Sequence, residues 1–172
     1  LKEGILDIGH IKELKHILKQ NENLIIGALT TIEEIRNSEI VKTSAPILVE
    51  ALKYFGGWQI RNMATIGGNL CNASPAADTA LPLLVLDAHL KAISINGERI
   101  ISVHDFFKGP GITTLKPDEL LAEVIIPQQP VGSYYSFIKL ATRSGYGVSI
   151  VSAACLLSLE DNIIKDIRLA LG

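Results

Sequence analysis

The sequence predicts an α+β domain, and three observations carry that expectation. Short stretches of the first half repeat apolar residues at helical spacing. The second half runs in strand-length apolar or alternating segments bounded by turn residues. Between two such segments lies Asn96-Gly97, a pair that suits a type I′ hairpin turn. The chain has 172 residues, enough for one domain or two small ones sharing a core. With 48% hydrophobic residues and a net charge of −2, intrinsic disorder is excluded.

Taken in order, Ile5 to Ile8 reads as a short strand. Ile11, Leu14, Ile17 and Leu18 then recur at helical spacing, which predicts an amphipathic helix to about Gln20. Asn23 to Leu29 returns to strand character. Thr30-Thr31 followed by Glu33-Glu34 is a capping-box pattern opening a helix to about Asn37. Ser44, with Pro46 just inside, opens another through Tyr54, stopped by Gly56-Gly57. From Trp58 to Ala77 periodicity is lost and a long loop is expected. Asp78 to Asp87 reads as a buried helix limited by Pro82. His89 to Ile95 and Glu98 to Ser102 form the hairpin, and Ser102 caps a short helical turn through Phe107. Leu120 to Ile126, Tyr134 to Ala141, Val148 to Leu159 and Ile163 to Leu171 are strands, the last two joined through Asp161-Asn162.

Several function classes fall away. Sixteen basic against eighteen acidic residues argue against a nucleic-acid-binding face. The longest apolar run, Ala80 to Leu86, is too short to span a bilayer, so a soluble chain is expected. Cys71 and Cys155 stand far apart with no CxxC or Cys/His cluster, so neither a zinc site nor an iron–sulfur site is expected here. They read as small buried hydrophobes of a reducing compartment, the cytoplasm. His10, His16, His89 and His104 sit at no ligand spacing and read as surface or capping residues. The chain opens on Leu1, its one methionine is Met63, and its end is abrupt. It therefore reads as a piece of a longer protein.

Chemistry concentrates in Arg61-Asn62-Met63-Ala64-Thr65-Ile66-Gly67-Gly68-Asn69. Two glycines remove Cβ atoms from the path and let backbone N–H groups converge on an anionic oxygen, with Thr65 and Asn69 as flanking donors. There is no GxGxxG and no P-loop. As a pattern alone, the pair suits a phosphate cradle or a plain turn. In Ser74-Pro75-Ala76-Ala77-Asp78, Ser74 or Asp78 caps the following helix, or Asp78 accepts hydrogen bonds from a ligand's hydroxyls. No nucleophile elbow or paired His/Cys arrangement is present, which fits a domain that holds a reactive cofactor rather than supplying its own nucleophile.

At these residues the sequence resembles a known family, the FAD-binding subunit or domain of molybdenum hydroxylases, the xanthine dehydrogenase and carbon monoxide dehydrogenase medium-subunit group. Gln59-Ile60-Arg61-Asn62, Ala64-Thr65-Ile66-Gly67-Gly68-Asn69-Leu70 and Ala73-Ser74-Pro75-Ala76-Ala77-Asp78 carry the match. Gly27-Ala28-Leu29-Thr30-Thr31, Leu86-Asp87-Ala88, Phe106 to Pro110 and Glu119 to Pro127 follow in the expected order. The resemblance implies a flavin-binding fold of the vanillyl-alcohol-oxidase (PCMH) type, a mixed or antiparallel sheet flanked by helices. Residues 1–172 would be its central FAD-binding subdomain, without the N-terminal subdomain's own glycine loop and without a C-terminal domain.

By that resemblance Thr65, Ile66, Gly67, Gly68 and Asn69 form one of two loops holding the FAD pyrophosphate. Asp78 matches a cofactor-contacting aspartate, with Asn72 on the same wall. Phe55 matches an apolar position beside the cofactor, and Leu121 one near its nucleotide half. Lys139 matches a lysine close to the flavin, where a cation stabilises the anionic reduced ring. Read without the family, Phe55 and Leu121 are plain core residues and Lys139 an exposed strand lysine. No residue here is expected to be catalytic and none to bind metal. The implied function is electron transfer from [2Fe–2S] clusters through FAD to NAD⁺ or a quinone. Molybdopterin and the clusters would sit on an iron–sulfur subunit and a molybdopterin subunit of the same complex. The competing readings are a stand-alone FAD oxidoreductase of the vanillyl-alcohol-oxidase class and an interaction domain that has lost FAD.

Overall fold

A computed structural model describes residues 4–143, 147–161 and 163–172; Leu1 and the Asn162 half of the expected turn lie outside them. Regular structure begins with a hairpin, not a helix. A single 3₁₀ turn at Lys12–Leu14 leads into β1 (Ile17–Gln20), which folds back on β2 (Asn23–Gly27) in the register Ile17↔Ile26 to Gln20↔Asn23. Asn21 and Glu22 have φ of +47° and +67°, the positive values at both central positions that a type I′ turn demands. This overturns the amphipathic helix expected over 11–20. Only Leu14 of its apolar set is buried, and its backbone partners lie on the next segment: Leu29 donates to the Leu14 carbonyl and Gly27 to that of His16. Strand pairing has overridden a helical spacing too short to nucleate alone. Ile5 to Ile8 form no strand; Ile5 and Leu6 are exposed with no ladder partner among the described residues.

Helix α1 (Ile32–Asn37) has the expected capping box, with Thr31 and Glu34 satisfying each other's backbone N–H. Helix α2 (Glu39–Ser44), which the sequence did not announce, precedes α3 (Pro46–Leu52), the helix expected from Ser44 through Tyr54. Ser44 ends α2. Proline disfavours helical geometry in its predecessor, so Ala45 leaves the α region and Pro46 starts afresh at the first helical position. The expected loop at 58–77 contains α4 (Trp58–Met63) and α5 (Ile66–Cys71), and α6 (Ala80–Val85) follows with Pro82 in its first turn.

Strands β3 (His89–Ser94) and β4 (Gly97–Ser102) pair as expected, but the turn is shifted by one residue. Ile95-Asn96 bridge Ser94 and Gly97, and the positive φ, +121°, falls on Gly97 instead of Asn96. Ser102 caps α7 (Val103–Phe106). A small unexpected hairpin follows, β5 (Phe107–Gly109) and β6 (Ile112–Thr113). Then come β7 (Leu120–Ile126), β8 (Tyr134–Ala141), β9 (Ser149–Glu160) and β10 (Ile163–Leu171), within one residue of the strands read from the sequence.

The strands form an antiparallel five-stranded sheet in the order β1-β2-β7-β3-β4 and a three-stranded sheet β10-β9-β8. Helices join them: α2 packs on β1 and β2, α5 on β7, α3 on β8, and α6 on β9 and β10. One core therefore contains Val124 and Ile126 of the first sheet, Leu48, Leu52 and Leu83 of the helices, and Phe137 and Leu156 of the second sheet. Among the described residues no helix is long and apolar enough to cross a membrane. The cysteines are free thiols but not the buried pair expected: Cys71 is exposed because α5 turns Ile66, Gly67 and Leu70 inward, and Cys155 is half-buried.

The sheet edge is tied to the segment before β7 by Arg99, whose guanidinium donates to both carboxylate oxygens of Glu119 at 2.7 and 2.8 Å. Glu119 also accepts from the Lys116 N–H. These bonds, Arg99 foremost, hold its carboxyl down to about 2. A depressed carboxyl contributes stability that is complete above its ordinary value, about 4.3, and is lost as pH falls through the folded one. Acid unfolding followed by circular dichroism is thus expected to show a limb between about 4.3 and about 2. Glu119→Gln should flatten it; an unchanged limb would place the acid sensitivity elsewhere.

Candidate functional site

The glycine pair sits in the first turn of α5, and the start of that helix is fastened to the segment leaving β2. Thr31 and Thr65 form an isolated antiparallel bridge. Ile32 N–H donates to Ala64 O at 2.9 Å, Ile66 N–H to Thr30 O at 3.1 Å and Gly67 N–H to Ala28 O at 2.9 Å. At Gly67 the backbones touch: a Cβ there would lie 2.7 Å from the Ala28 Cβ and 2.8 Å from its carbonyl oxygen. Thr65 caps the helix, its hydroxyl oxygen accepting from the Gly68 N–H at 3.1 Å.

The sequence left the glycine pair open between a phosphate cradle and a plain turn. Here the N–H groups of Ile66, Gly67 and Gly68 are each bonded to an oxygen of the chain itself, which makes the pair the start of a capped helix. Gly67 serves close packing. Gly68 is exposed, and the nearest atom a Cβ would meet is the Thr65 hydroxyl oxygen at 3.0 Å. The loop therefore presents a side-chain-free backbone face flanked by Thr65 and Asn69. Asn69 spends its Oδ1 on the hydroxyl of buried Thr79 at 2.5 Å. Its amide N–H₂ has no partner among the described residues and is open to a ligand or solvent.

Asp78 does not cap α6, whose N-cap, Thr79, makes no side-chain cap bond; Ser74 instead accepts from the Ala76 N–H within its own turn. Asp78 meets Lys139 of β8. The Lys139 ammonium donates to the two carboxylate oxygens at 2.8 and 2.9 Å and approaches the Tyr54 carbonyl at 3.4 Å. Both side chains are nearly out of solvent, at 5% for Lys139 and 11% for Asp78. Burial pushes the Asp78 carboxyl above its ordinary value, and the ammonium pulls the other way without fully offsetting it.

Phe55, Asn69, Ser74, Asp78, Lys139 and Val148 line one cavity of about 220 Å³. Four residues singled out in the sequence, drawn from three separate segments, thus converge. Leu121 does not join them: it is buried in the main core on β7. Asn72 is exposed at the end of α5, outside the cavity. Phe55 belongs to both the core and the cavity wall. A larger hollow, about 320 Å³, lies by Gln128 to Ser133 and includes none of the ten candidate residues.

Two positioning groups escaped sequence reasoning. Thr79 is wholly buried beneath Asn69. Arg61 is buried, its Nε donating to Glu33 and its Nη1 to the carbonyls of Phe55 at 3.2 Å and Gly56 at 2.8 Å. That places the Phe55-Gly56 turn against α1 and holds one wall of the cavity. The only signal was the presence of Arg61 within the family-like segment.

Residues 2–129 match the family model described as the FAD binding domain in molybdopterin dehydrogenase, and the chain belongs to that family. Among particular relatives, the glyceraldehyde dehydrogenase medium chain of Sulfolobus acidocaldarius is 36% identical over 168 residues, 98% of this chain and 59% of its own length. The xanthine dehydrogenase FAD-binding subunit of Escherichia coli O157:H7 is 37% identical over 172 residues, 98% of this chain and 58% of its own. A carbon monoxide dehydrogenase structure from Hydrogenophaga pseudoflava superposes with a TM-score of 0.92 at 30% identity, covering 96% of this chain and 57% of that one. The chain spans less than three fifths of the length of each. The family resemblance and the α+β expectation are both confirmed; Lys139 and the three-stranded sheet lie beyond residues 2–129 of the family model but within the stretch that the relatives match.

Proposed function

We propose that this chain is the central flavin-holding part of a molybdenum hydroxylase, an oxidoreductase in which electrons leave the substrate centre by way of FAD. The observation that carries this reading is the convergence of Phe55, Asn69, Asp78 and Lys139 on one cavity beside the bare face of Gly68. The donor set suits the group. The cavity combines an aromatic wall, a free amide, and an acid–base pair. Its 220 Å³ is below the roughly 300–1,000 Å³ of ordinary ligand pockets, so only part of a dinucleotide would enter it. The remainder would run along the exposed side of α5, past Gly68 to Asn72.

FAD, when bound, supplies reversible acceptance and release of electrons. The chain's own residues do the holding. Thr65 and Asn69 offer polar atoms at the edge of a backbone face that no side chain obstructs, with Ile66 and Gly67 keeping that face rigid against β2. Asp78 accepts hydrogen bonds, Phe55 excludes water on one side, and Leu121 backs the packing of β7. Iron–sulfur and molybdopterin subunits would be the partners, NAD⁺ or a quinone the acceptor, and the cytoplasm the setting. The relatives' names, a medium chain and a FAD-binding subunit, support an assembly of this kind.

The loop's part is tested by Gly68→Val in the whole protein. The position is exposed and valine ranks above glycine in helix propensity, so the cost to the fold is limited to disturbing the Thr65 cap, whose hydroxyl lies 3.0 Å from the added Cβ, about 1 kcal/mol. FAD affinity is expected to fall at least tenfold, read by flavin fluorescence on titration. Unchanged retention would contradict a cofactor lying across this face.

A further inference from the structure

On the footing of the flavin reading above, we propose that Asp78 is a positioning residue that masks the charge of Lys139, so that a flavin in this cavity meets a neutral pair and not a free cation. The geometry is specific. An ammonium has three donors. Those of Lys139 face both Asp78 oxygens, at 2.8 and 2.9 Å, and the Tyr54 carbonyl at 3.4 Å. No other charged side chain among the described residues lines the cavity. The two groups sit 61 positions apart in sequence, on the turn before α6 and on β8, so the pairing is a product of the tertiary fold.

Charges this poorly solvated act strongly on a neighbour that changes charge. A lone ammonium would favour the reduced, more negative form of a flavin, whereas a matched carboxylate cancels most of that effect. Asp78 therefore acts through Lys139 and lowers the flavin's reduction potential to the value of an uncharged surrounding.

The test is spectroelectrochemical titration of the FAD-loaded whole protein at pH 8 in four forms: wild type, Asp78→Asn, Lys139→Met and the double variant. Asp78→Asn is expected to raise the midpoint potential, giving severalfold more reduced flavin at a fixed applied potential. Lys139→Met is expected to lower it, because the carboxylate is then uncompensated. The double variant should return towards wild type. An Asp78→Asn protein that retains FAD with an unshifted potential overturns the masking role. Should Asp78→Asn not hold FAD, Lys139→Met decides: a lower potential supports the pair, an unchanged one overturns it. A wild-type protein that takes up no FAD at all would instead refute the flavin reading itself.

Discussion

Replacing Arg61 by methionine is expected to destabilise the domain by about 3 kcal/mol, the lower end of the cost of removing one partner of a buried ion pair, because Glu33 keeps Arg36 as a second cation. The substitution removes the donor to one Glu33 oxygen, leaving the other with Arg36 at 3.3 Å and Asn37 at 3.2 Å, and it leaves the carbonyls of Phe55 and Gly56 without their donor. For a chain of this size each kcal/mol moves Tm by about 2–4 °C, so thermal unfolding reads the effect easily. The pair also has a pH signature. The Arg61 bond, outweighing burial, holds the Glu33 carboxyl below its ordinary value. Its contribution is complete above that ordinary value and is lost as pH falls through the depressed one. Arg61→Met should remove this part of the acid sensitivity along with the stability. A variant with wild-type Tm would mean that Arg36 and Asn37 suffice for Glu33 and that solvent satisfies the Phe55-Gly56 turn.

The second large effect is expected at Gly67. Even alanine places a carbon 2.7 Å from the Ala28 Cβ and 2.8 Å from the oxygen that accepts the Gly67 hydrogen bond. Neither neighbour is the end of a flexible side chain. Helix α5 must move off Ala28 in the segment leaving β2, with an overpacking cost of about 1–3 kcal/mol and about 1 kcal/mol more for the strained hydrogen bond. Gly68→Ala is the matched control, one residue along and exposed, where the nearest atom is the Thr65 hydroxyl. Urea unfolding should separate the two clearly. Equal midpoints would show that the α5–β2 contact can relax, and would remove the packing explanation of the first glycine.

These two positions also show what could be read without a structure. The strands β7 to β10 have long apolar or alternating runs ended by turn residues, and their bounds were legible to within a residue. The capping box at Thr31 was legible because the bond it makes is local. Strand β1 was not. Its pattern is shared by a helix, and the choice was made by β2 lying ready beside it. Helices α4 and α5 are six residues each, too short for a clear apolar period, with a Gly-Gly pair inside α5, and the start of α5 is held by bonds to the segment leaving β2.

The candidate site divides along the same line. The family-like residues Thr65 to Asn69 and Ser74 to Asp78 announced a cofactor region. The glycine pair left a phosphate cradle and a plain turn open, and the Ala28 carbonyl and Thr65 hydroxyl that take the N–H groups of Gly67 and Gly68 are invisible as partners in the sequence. Lys139 was expected as a cation, and its neutralisation by Asp78 depends on a contact between the turn before α6 and β8. Long-range pairing of this kind leaves no local trace.

Equilibrium titration of the cofactor-stripped whole protein with FAD, followed by visible absorbance and flavin fluorescence, decides whether the protein holds a flavin. Saturable uptake of one flavin per chain is expected, weakened by Gly68→Val and by Asp78→Asn. A whole protein that stays colourless at high FAD, while its thermal unfolding shows it to be folded, would contradict the account.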